Sequence, residues 1–277
     1  MSIYQQYWGL DCSPFENSGD ADSYFASETH QAALLKMRYV VENRLGAGLI
    51  VGGVGYGKTY LARLLKTELS ENAGPFIHVV FPQLSSSELL AYLAVELGAE
   101  ESAIGRGRGD LDLTIRQLQL RLCHYTTEGK HPVIVIDDAH LIEDLRVFRT
   151  LQLLLNYSQQ DDIDFSLLLL GEPILLGTIE RMAPLNERLG VRSLLRPLSG
   201  SETDQYILHR LEVAGRTRPI FDDDALTAIF ELSAGVPRRI NRLCDLALLV
   251  GCADELQTLS AAEIDAVGEE LMAVVMD

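Results

Sequence analysis

The sequence has no apolar run long enough to cross a membrane. Its most apolar stretches, such as Ser166–Gly171 and Pro132–Ile136, have the length of a β-strand, whereas a bilayer requires about 18 to 20 residues. The amino end, Met1–Leu10, also has neither a basic residue nor an apolar segment of signal-peptide length. We therefore expect no membrane insertion and a cytoplasmic location.

Positive charge and cysteine are also scarce. Lys and Arg total 23 against 40 Asp and Glu, which gives a net charge of −17. Such a chain repels nucleic acid on average, although one locally basic face could still hold a phosphate backbone. The four cysteines, Cys12, Cys123, Cys244 and Cys252, form neither a CxxC pair nor a disulfide-like framework. They are typical of ordinary buried thiols.

The 277 residues are 47% hydrophobic and 23% charged, a composition that favours a soluble globular protein with a sizeable core. The length suits one large α/β domain with a small appended one. We expect two packed units.

Strand and helix patterns alternate over the first two thirds of the chain. Strands are predicted at Leu49–Val51, Phe76–Phe81, Val133–Ile136 and Phe165–Leu170. Helices are predicted over residues 28–45, Thr59–Glu71, a segment with the capping box Ser85 to Glu88, Leu111–Tyr125 and Asp144–Tyr157. Continuous apolar strands separated by helices indicate a parallel sheet that is covered on both faces.

Beyond Pro197 the strand patterns stop. Helical patterns follow at Glu202–Ala214, Asp223–Ser233, Arg238–Val250 and from Ser260 onward. We predict an α/β nucleotide-binding domain over residues 1–198, in which residues 1–27 are an amino-terminal extension, and an α-helical lid over residues 199–277.

A glycine-rich loop falls between the first predicted strand and its helix. Gly52–Thr59 reads GGVGYGKT and fits GxxxxGK[ST], in which backbone N–H groups curl around phosphate oxygens at a helix N-terminus. Lys58 would neutralise the β and γ phosphates, and Thr59 would bind Mg²⁺. The predicted nucleotide contacts are Gly52, Gly53, Val54, Gly55, Tyr56, Gly57, Lys58, Thr59 and Tyr60.

Carboxylates follow the next two core strands. Asp137 ends the strand Val133–Ile136 and is a candidate for the magnesium side of the site. Asp138 could orient or deprotonate the attacking water, or it could cap the following turn. Glu172 ends a neighbouring strand, where it could contact the γ-phosphate or the water, and it could equally be a plain loop acid.

Hydrolysis of a nucleoside triphosphate also requires positive charge on the transferring phosphoryl group, and a neighbouring subunit often supplies it. Arg188, Arg192 and Arg196 lie in a suitable stretch of the chain, and surface charge is the alternative for them. Arg238 begins a helix after a proline turn, in a geometry that could direct it toward the nucleotide.

The order of these motifs resembles the AAA+ family of general secretion pathway protein A, close to the ATPases found beside exopolysaccharide and exosortase gene clusters. The matching landmarks cover nearly the whole chain. They are Tyr7-Trp8-Gly9-Leu10, Pro14-Phe15, Tyr24-Phe25, His30 to Leu34, Gly52 to Thr59, Asp137-Asp138-Ala139-His140, Arg188, Arg196-Pro197-Leu198, Glu202, Tyr206-Ile207, His209-Arg210-Leu211, Ala214-Gly215 and Gly235 to Asn241.

The resemblance implies a five-stranded sheet of order 5-1-4-3-2, ATP with Mg²⁺, and assembly of the chain with itself into a ring or helical filament. It implies that Arg188 reaches the neighbour's nucleotide in trans, that Arg238 is the second sensor, and that Pro14 and Phe15 lie near the adenine. Two residues depart from the family pattern. Many relatives have glutamate in place of Asp138 and glutamine in place of Glu172, so hydrolysis could be slow.

Three functions remain open. The first is an ATP-hydrolysing assembly protein that acts with a protein partner of a secretion, envelope or polysaccharide-export apparatus. The second resembles the transposition regulators of this branch, which form filaments on duplex DNA. The third is a nucleotide switch with negligible turnover. A basic surface would favour the second, and its candidates are Arg106, Arg108, Arg116, Arg146 and Arg149.

Overall fold

A computed structural model describes residues 3–16, 23–104, 111–157, 163–216 and 218–273. In chain order the elements are α1 (Ile3–Trp8), α2 (Glu28–Glu42), β1 (Ala47–Val51), α3 (Lys58–Glu68), β2 (Phe76–Val79), α4 (Ser86–Glu96), α5 (Leu111–Thr127), β3 (Val133–Ile136), α6 (Leu145–Tyr157), β4 (Ser166–Gly171), α7 (Ile174–Glu180), α8 (Ala183–Asn186), β5 (Leu189–Leu194), α9 (Gly200–Val213), α10 (Asp223–Ser233), α11 (Pro237–Ala253) and α12 (Ala261–Ala273). Short 3₁₀ turns lie at Glu101–Ala103 and Ala139–Leu141.

Two compact units divide the chain. The sheet unit comprises Thr29–Val54 and Lys58–Leu195, and the helical unit comprises Met1–Glu28, Gly55–Gly57 and Arg196–Asp277. We predicted residues 1–27 as an extension of the nucleotide-binding domain, but their described part packs with the carboxyl-terminal helices. The functional boundary at residues 198 and 199 stays a prediction.

The sheet unit is built on five parallel strands in the order β2-β3-β4-β1-β5. Read from the other edge, this is the order 5-1-4-3-2, so that prediction is confirmed. β1, β3 and β4 are buried along their whole length, as expected for apolar strands that are covered on both faces. Phe148, Phe165, Leu93 and Leu118 are among the side chains that fill this core.

The fifth strand carries no apolar run, and we did not predict its bounds. Residues of β5 alternate between buried and exposed, and they include the exposed Gly190 and Arg192. Among the described strands β5 pairs with β1 alone, so it is an edge strand of the sheet. β2 is also shorter than predicted, since it ends at Val79 and not at Phe81. Val80 and Phe81, beyond its end, are both 65% exposed.

The helical unit has its own core, to which the amino-terminal segment contributes. Trp8, Leu10 and Phe15 are at most 2% exposed and belong to the same apolar cluster as residues of α9, α10, α11 and α12. The Trp8 indole N–H donates to the carbonyl oxygen of Leu248, at 2.8 Å. The amino-terminal segment is therefore an integral part of this unit. Among the helices that the structure describes, none combines the length and the apolar composition that crossing a membrane requires.

Candidate nucleotide-binding site

The glycine-rich loop connects β1 to α3, as the sequence predicts. Gly55 and Gly57 have φ angles of +79° and +85°, a left-handed conformation that glycine adopts without strain. Because α3 begins at Lys58, the backbone N–H groups around the loop's end lie at a helix N-terminus, where negative charge is stabilised. Gly52 and Gly53 lead into the loop, Val54 is 62% exposed, and Tyr56 and Tyr60 are half-buried.

Lys58 is almost completely buried, with 7% of its surface exposed. Its ammonium donates hydrogen bonds to the carbonyl oxygens of Gly52, at 2.9 Å, and Gly53, at 3.0 Å. A buried cation is tolerated when such partners satisfy it. The loop therefore holds one positive charge against its own backbone, in the position from which a phosphate-binding lysine acts.

The candidate magnesium ligands lie in direct contact. The Thr59 hydroxyl is hydrogen-bonded to the Asp137 carboxylate, which also accepts from the backbone N–H of Asp138, at 2.9 Å, and lies 3.1 Å from His78 Nε2. Burial alone would raise the pKa of Asp137, but its hydrogen bonds with His78, Thr59 and the Asp138 backbone and the charge of His78 hold that pKa below its ordinary value. Asp137 is therefore ionised at neutral pH.

A hydroxyl beside an ionised carboxylate is a hard oxygen donor set that suits Mg²⁺. Within the described ranges no group of three or more His, Cys, Asp and Glu residues could hold a metal ion by itself. Mg²⁺ usually binds through one or two carboxylates and the phosphates of the substrate. Thr59 and Asp137 fit that mode.

Asp138 has an unusual backbone conformation. Its φ and ψ angles are 45° and 37°, in the left-handed region, and its side chain makes no capping hydrogen bond to the 3₁₀ turn that follows. The side chain is 47% exposed. The capping alternative is thus not what the side chain does here, and strained polar residues of this kind cluster at functional sites.

Glu172 follows β4, and His140, which the sequence analysis named only as a landmark of the resemblance, lies beside it. His140 Nε2 lies 3.0 Å from Glu172 Oε1, and His140 Nδ1 lies 3.9 Å from Asp138 Oδ1. Because all strands are parallel, the residues that follow β1, β3 and β4 share the carboxyl edge of the sheet. The structure therefore brings Lys58, Thr59, Asp137, Asp138 and Glu172 to one edge.

Arg188 lies at the opposite end of the strands, where the parallel strands begin. It directly precedes β5, whose first residue, Leu189, is paired with Ala47 at the start of β1. Gly52 is therefore about 16 Å away along the strand direction, at 3.3 Å per residue. The Arg188 guanidinium donates a hydrogen bond to the Asn156 side chain. A contact of Arg188 with the phosphates of its own subunit is excluded by this placement.

The other predicted residues belong to the helical unit. Phe15 is 2% exposed and packs edge-to-face against Phe221, with ring centroids 6.2 Å apart. Pro14 is buried, and its carbonyl oxygen accepts a hydrogen bond from Arg210. The Phe15 ring thus has no free face for stacking, and the nearness of Pro14 and Phe15 to adenine stays a prediction. Arg238 is exposed in the first turn of α11, and its role as a sensor also stays a prediction.

Sequence reasoning missed His78 and His140 as members of the site. His78 is a half-buried polar residue in the apolar strand β2, which was the one available signal for it. His140 follows two residues after Asp138, but its partner Glu172 is 32 residues further along the chain. Only the pairing of β3 with β4 brings these two side chains together.

Comparisons with known proteins agree with this fold. Residues 42–179 match the model of a family described as an AAA domain. The chain is 32% identical to general secretion pathway protein A of Aeromonas hydrophila over an alignment of 254 residues. That alignment covers 91% of this chain and 45% of the Aeromonas protein. The chain thus spans less than half the length of that relative.

Solved structures with the same fold are more distant in sequence. Cdc6p from Pyrobaculum aerophilum superposes with a TM-score of 0.73 at 15% identity, covering 94% of this chain and 71% of that one. The ORC2 protein of Aeropyrum pernix, solved as ADPNP-ADP complexes, gives 0.69 at 16% identity, over 95% and 72%. Drosophila ORC bound to DNA gives 0.71 at 13% identity, over 98% and 66%. At such identities the likeness concerns the fold.

The sheet order, the phosphate-binding loop and the acidic strand end define a P-loop NTPase. The chain belongs to the AAA+ family. Within that family it is of the general secretion pathway protein A type, so the resemblance seen in the sequence is confirmed.

Proposed function

We propose that this chain binds ATP with Mg²⁺ and hydrolyses it, in the cytoplasm, to drive or switch assembly of a secretion, envelope or polysaccharide-export apparatus. The observation that carries the proposal is the single edge of the sheet that holds Lys58, Thr59, Asp137 and Asp138. Membership in the AAA+ family supports nucleotide binding. The apparatus is inferred only from the name of the Aeromonas relative.

Each residue of the site has a distinct task in this proposal. Lys58 neutralises the β and γ phosphates, while the N–H groups of Gly53 to Thr59 hold their oxygens. Thr59 and Asp137 would hold Mg²⁺, which would supply positive charge beside the phosphates. Asp138 accepts the proton of the attacking water, a task that suits its half-exposed carboxylate because this carboxylate makes no capping hydrogen bond.

Turnover is expected to be slow. Asp138 is one methylene shorter than the glutamate that many relatives have there, and the acidic Glu172 stands at the neighbouring strand end. A slow cycle suits a switch that holds one state for a long time. The limiting case is a switch that binds ATP with negligible turnover, which was the third hypothesis.

Self-assembly is part of the proposal because Arg188 cannot serve its own subunit. The amino edge of the sheet, where Arg188 lies, is remote from the phosphate-binding loop of the same chain. A second copy that presents its loop to this edge would receive the arginine in trans, in a ring or a filament. Arg188 would then supply the positive charge that phosphoryl transfer requires.

The proposal is tested by nucleotide binding and turnover in the same preparations. Wild-type protein should gain thermal stability with ATP and Mg²⁺ and less with GTP, since ATP is the expected nucleotide. Lys58→Ala should lose the gain. Asp138→Asn should keep the gain and lose turnover. Equal stabilisation of wild type and Lys58→Ala would place the nucleotide elsewhere.

Binding to duplex DNA is the second candidate function. The Drosophila ORC structure contains DNA, but its sequence identity to this chain supports only a shared fold. Of the candidate arginines, Arg116 pairs with Asp112 and Arg146 with Asp144, both at 2.9 Å. Among the candidates that the structure describes, Arg149 alone is exposed and has no ion pair. Arg106 and Arg108 lie outside the described residues. Affinity for duplex DNA that falls steeply with salt would favour this function.

A further inference from the structure

His140 connects the ends of two neighbouring strands at the candidate site. It lies in the 3₁₀ turn after β3, and its side chain is 11% exposed. Its Nε2 atom is 3.0 Å from Glu172 Oε1, beyond the end of β4, while its Nδ1 atom is 3.9 Å from Asp138 Oδ1. One imidazole therefore lies between the two acids that face the reaction in the proposed function.

The backbone around this pair is packed tightly. A Cβ atom built on Gly171, the residue before Glu172, would lie 3.2 Å from the backbone nitrogen of His140 and 2.7 Å from a methyl carbon of Leu175. The end of β4 and the 3₁₀ turn are thus in contact through a residue that has no room for a side chain. This close packing fixes the backbone of His140 relative to the residue that precedes Glu172.

The hydrogen-bonding roles in the pair follow from the chemistry of the groups. A carboxylate oxygen accepts hydrogen bonds, so in a hydrogen bond between the two groups His140 Nε2 is the donor. At 3.0 Å from Nε2, Glu172 Oε1 is within reach of such a bond, which would hold that oxygen beside the imidazole. His140 Nδ1 is buried, and within the described residues it has no hydrogen-bond partner. Nε2 is therefore the ring atom of His140 through which the contact with Glu172 is made.

We propose that His140 is a positioning residue, which holds the Glu172 carboxylate by a hydrogen bond from Nε2 so that an acid can stand beside the γ-phosphate. This inference rests on the proposed function. It explains how a carboxylate can stand at this strand end, where the resemblance implies glutamine in many relatives. His140 itself touches neither the nucleotide nor the water in this account.

Two variants that both carry a side-chain amide distinguish an effect of the hydrogen bond from an effect on folding. In His140→Gln the amide nitrogen can occupy the position of Nε2, so the bond to Glu172 is retained. In His140→Asn the amide reaches only the position of Nδ1, so the bond is lost. We expect His140→Asn to weaken ATP affinity about tenfold, the lower end for a hydrogen bond to a charged group because Glu172 is partly exposed. His140→Gln should bind within about twofold of wild type, on the same scale.

The pairing with Glu172 is tested by combining the changes. Glu172→Gln removes the charge, so we expect it to bind ATP as tightly as wild type or more tightly. If His140 acts through Glu172, His140→Asn should have no further effect in the Glu172→Gln background. The matched control is His124→Asn, which breaks the exposed pair of His124 and Glu128, 3.4 Å apart on α5, and should leave ATP affinity unchanged.

The measurements are the dissociation constant of a fluorescent ATP analogue with Mg²⁺, the turnover number and the melting temperature of each variant. A loss of ATP affinity from His140→Asn that persists in the Glu172→Gln background, or an equal loss in His140→Gln and His140→Asn, would overturn the inference. If wild type also turns ATP over, the proposed function is unaffected by that result. Wild-type binding without turnover removes hydrolysis from the proposed function, and the binding cycle still decides the role of His140. A wild type that binds no ATP overturns both.

Discussion

The hydroxyl of Thr59 is hydrogen-bonded to the carboxylate of Asp137, so the first turn of α3 is in contact with the end of β3. This contact joins the phosphate-binding loop to the acidic strand end through one oxygen on each side. His78 supports this carboxylate from the neighbouring strand, with Nε2 at 3.1 Å from Asp137 Oδ2. The two sequence motifs thus form one oxygen-lined site.

Asp137→Asn is expected to raise the Mg²⁺ concentration required for half-maximal ATP binding by about tenfold or more, because an amide is a weaker ligand than a carboxylate. The measurement is ATP binding during a titration with Mg²⁺. Asp144→Asn is the control, since Asp144 is paired with Arg146 outside the site. An unchanged Mg²⁺ requirement in Asp137→Asn would contradict the assignment.

Arg188→Ala should have no ATP turnover by itself, and turnover should return when it is mixed with Lys58→Ala. Arg188 cannot reach its own phosphates, so a subunit that lacks Arg188 still has an intact loop for a neighbour's arginine to reach. Mixing Arg188→Ala with Lys58→Ala should therefore recover part of the wild-type ATPase rate, although each variant is inactive by itself. Arg192→Ala, which changes an exposed arginine bonded to Asn186, should keep the wild-type rate. A mixture as inactive as its components would argue against action in trans.

Asp164→Asn should reduce stability in a pH-dependent manner. Asp164 lies 2.7 Å from Arg44 and 3.1 Å from His131. Burial alone would raise the pKa of Asp164, but its contacts with His131 and Arg44 lower it below the ordinary value. A lowered pKa in the folded state contributes stability above the unfolded pKa of about 3.9, and that contribution is lost as the pH falls through the folded pKa.

At pH 7 we expect the Asp164→Asn change to lower the free energy of unfolding by about 2 kcal/mol, the scale of a hydrogen bond to a charged group. The difference from wild type should shrink below pH 4 or so. Urea denaturation at both pH values measures it. Asp112→Asn, which removes an exposed partner of Arg116, should cost far less. A loss that is equal at both pH values would contradict an ionised Asp164.

Gly235→Ala should destabilise the helical unit by about 2 kcal/mol or more, since it combines strain with a clash. Gly235 has a φ angle of +69°, and a Cβ atom there would lie 1.9 Å from the carbonyl oxygen of Leu198. Gly177→Ala, in α7, would meet no atom within 4 Å and should be neutral or stabilising, because alanine favours helix. Thermal unfolding compares the two. Equal melting temperatures would contradict the described turn.

The sequence predicted those parts of the molecule that depend on local pattern. Apolar runs identified β3 and β4, and the glycine spacing identified the loop before α3, because both features are written in adjacent residues. β5 could not be identified in this way, since an edge strand with Gly190 and Arg192 has no apolar run. Its place in the sheet was available only through the resemblance.

Contacts between distant residues were beyond the reach of pattern reading. The contact of His140 with Glu172 depends on the adjacency of β3 and β4. The burial of Trp8 depends on α11, in which its hydrogen-bond partner Leu248 lies 240 residues further along the chain. The packing of Phe15 in the core of the helical unit is another contact of this kind, and its predicted nearness to adenine stays a prediction. An apolar aromatic residue has the same local pattern in either role.

The most direct test of the central claim is steady-state ATP turnover with Mg²⁺ for wild type, Lys58→Ala and Asp138→Asn. The account predicts slow but measurable phosphate release by wild type, none by Lys58→Ala because ATP is not held, and a loss of about 100-fold or more in Asp138→Asn with ATP binding retained. Turnover by Asp138→Asn at the wild-type rate would contradict Asp138 as the base. A wild type that binds ATP tightly but releases no phosphate would contradict the hydrolase itself.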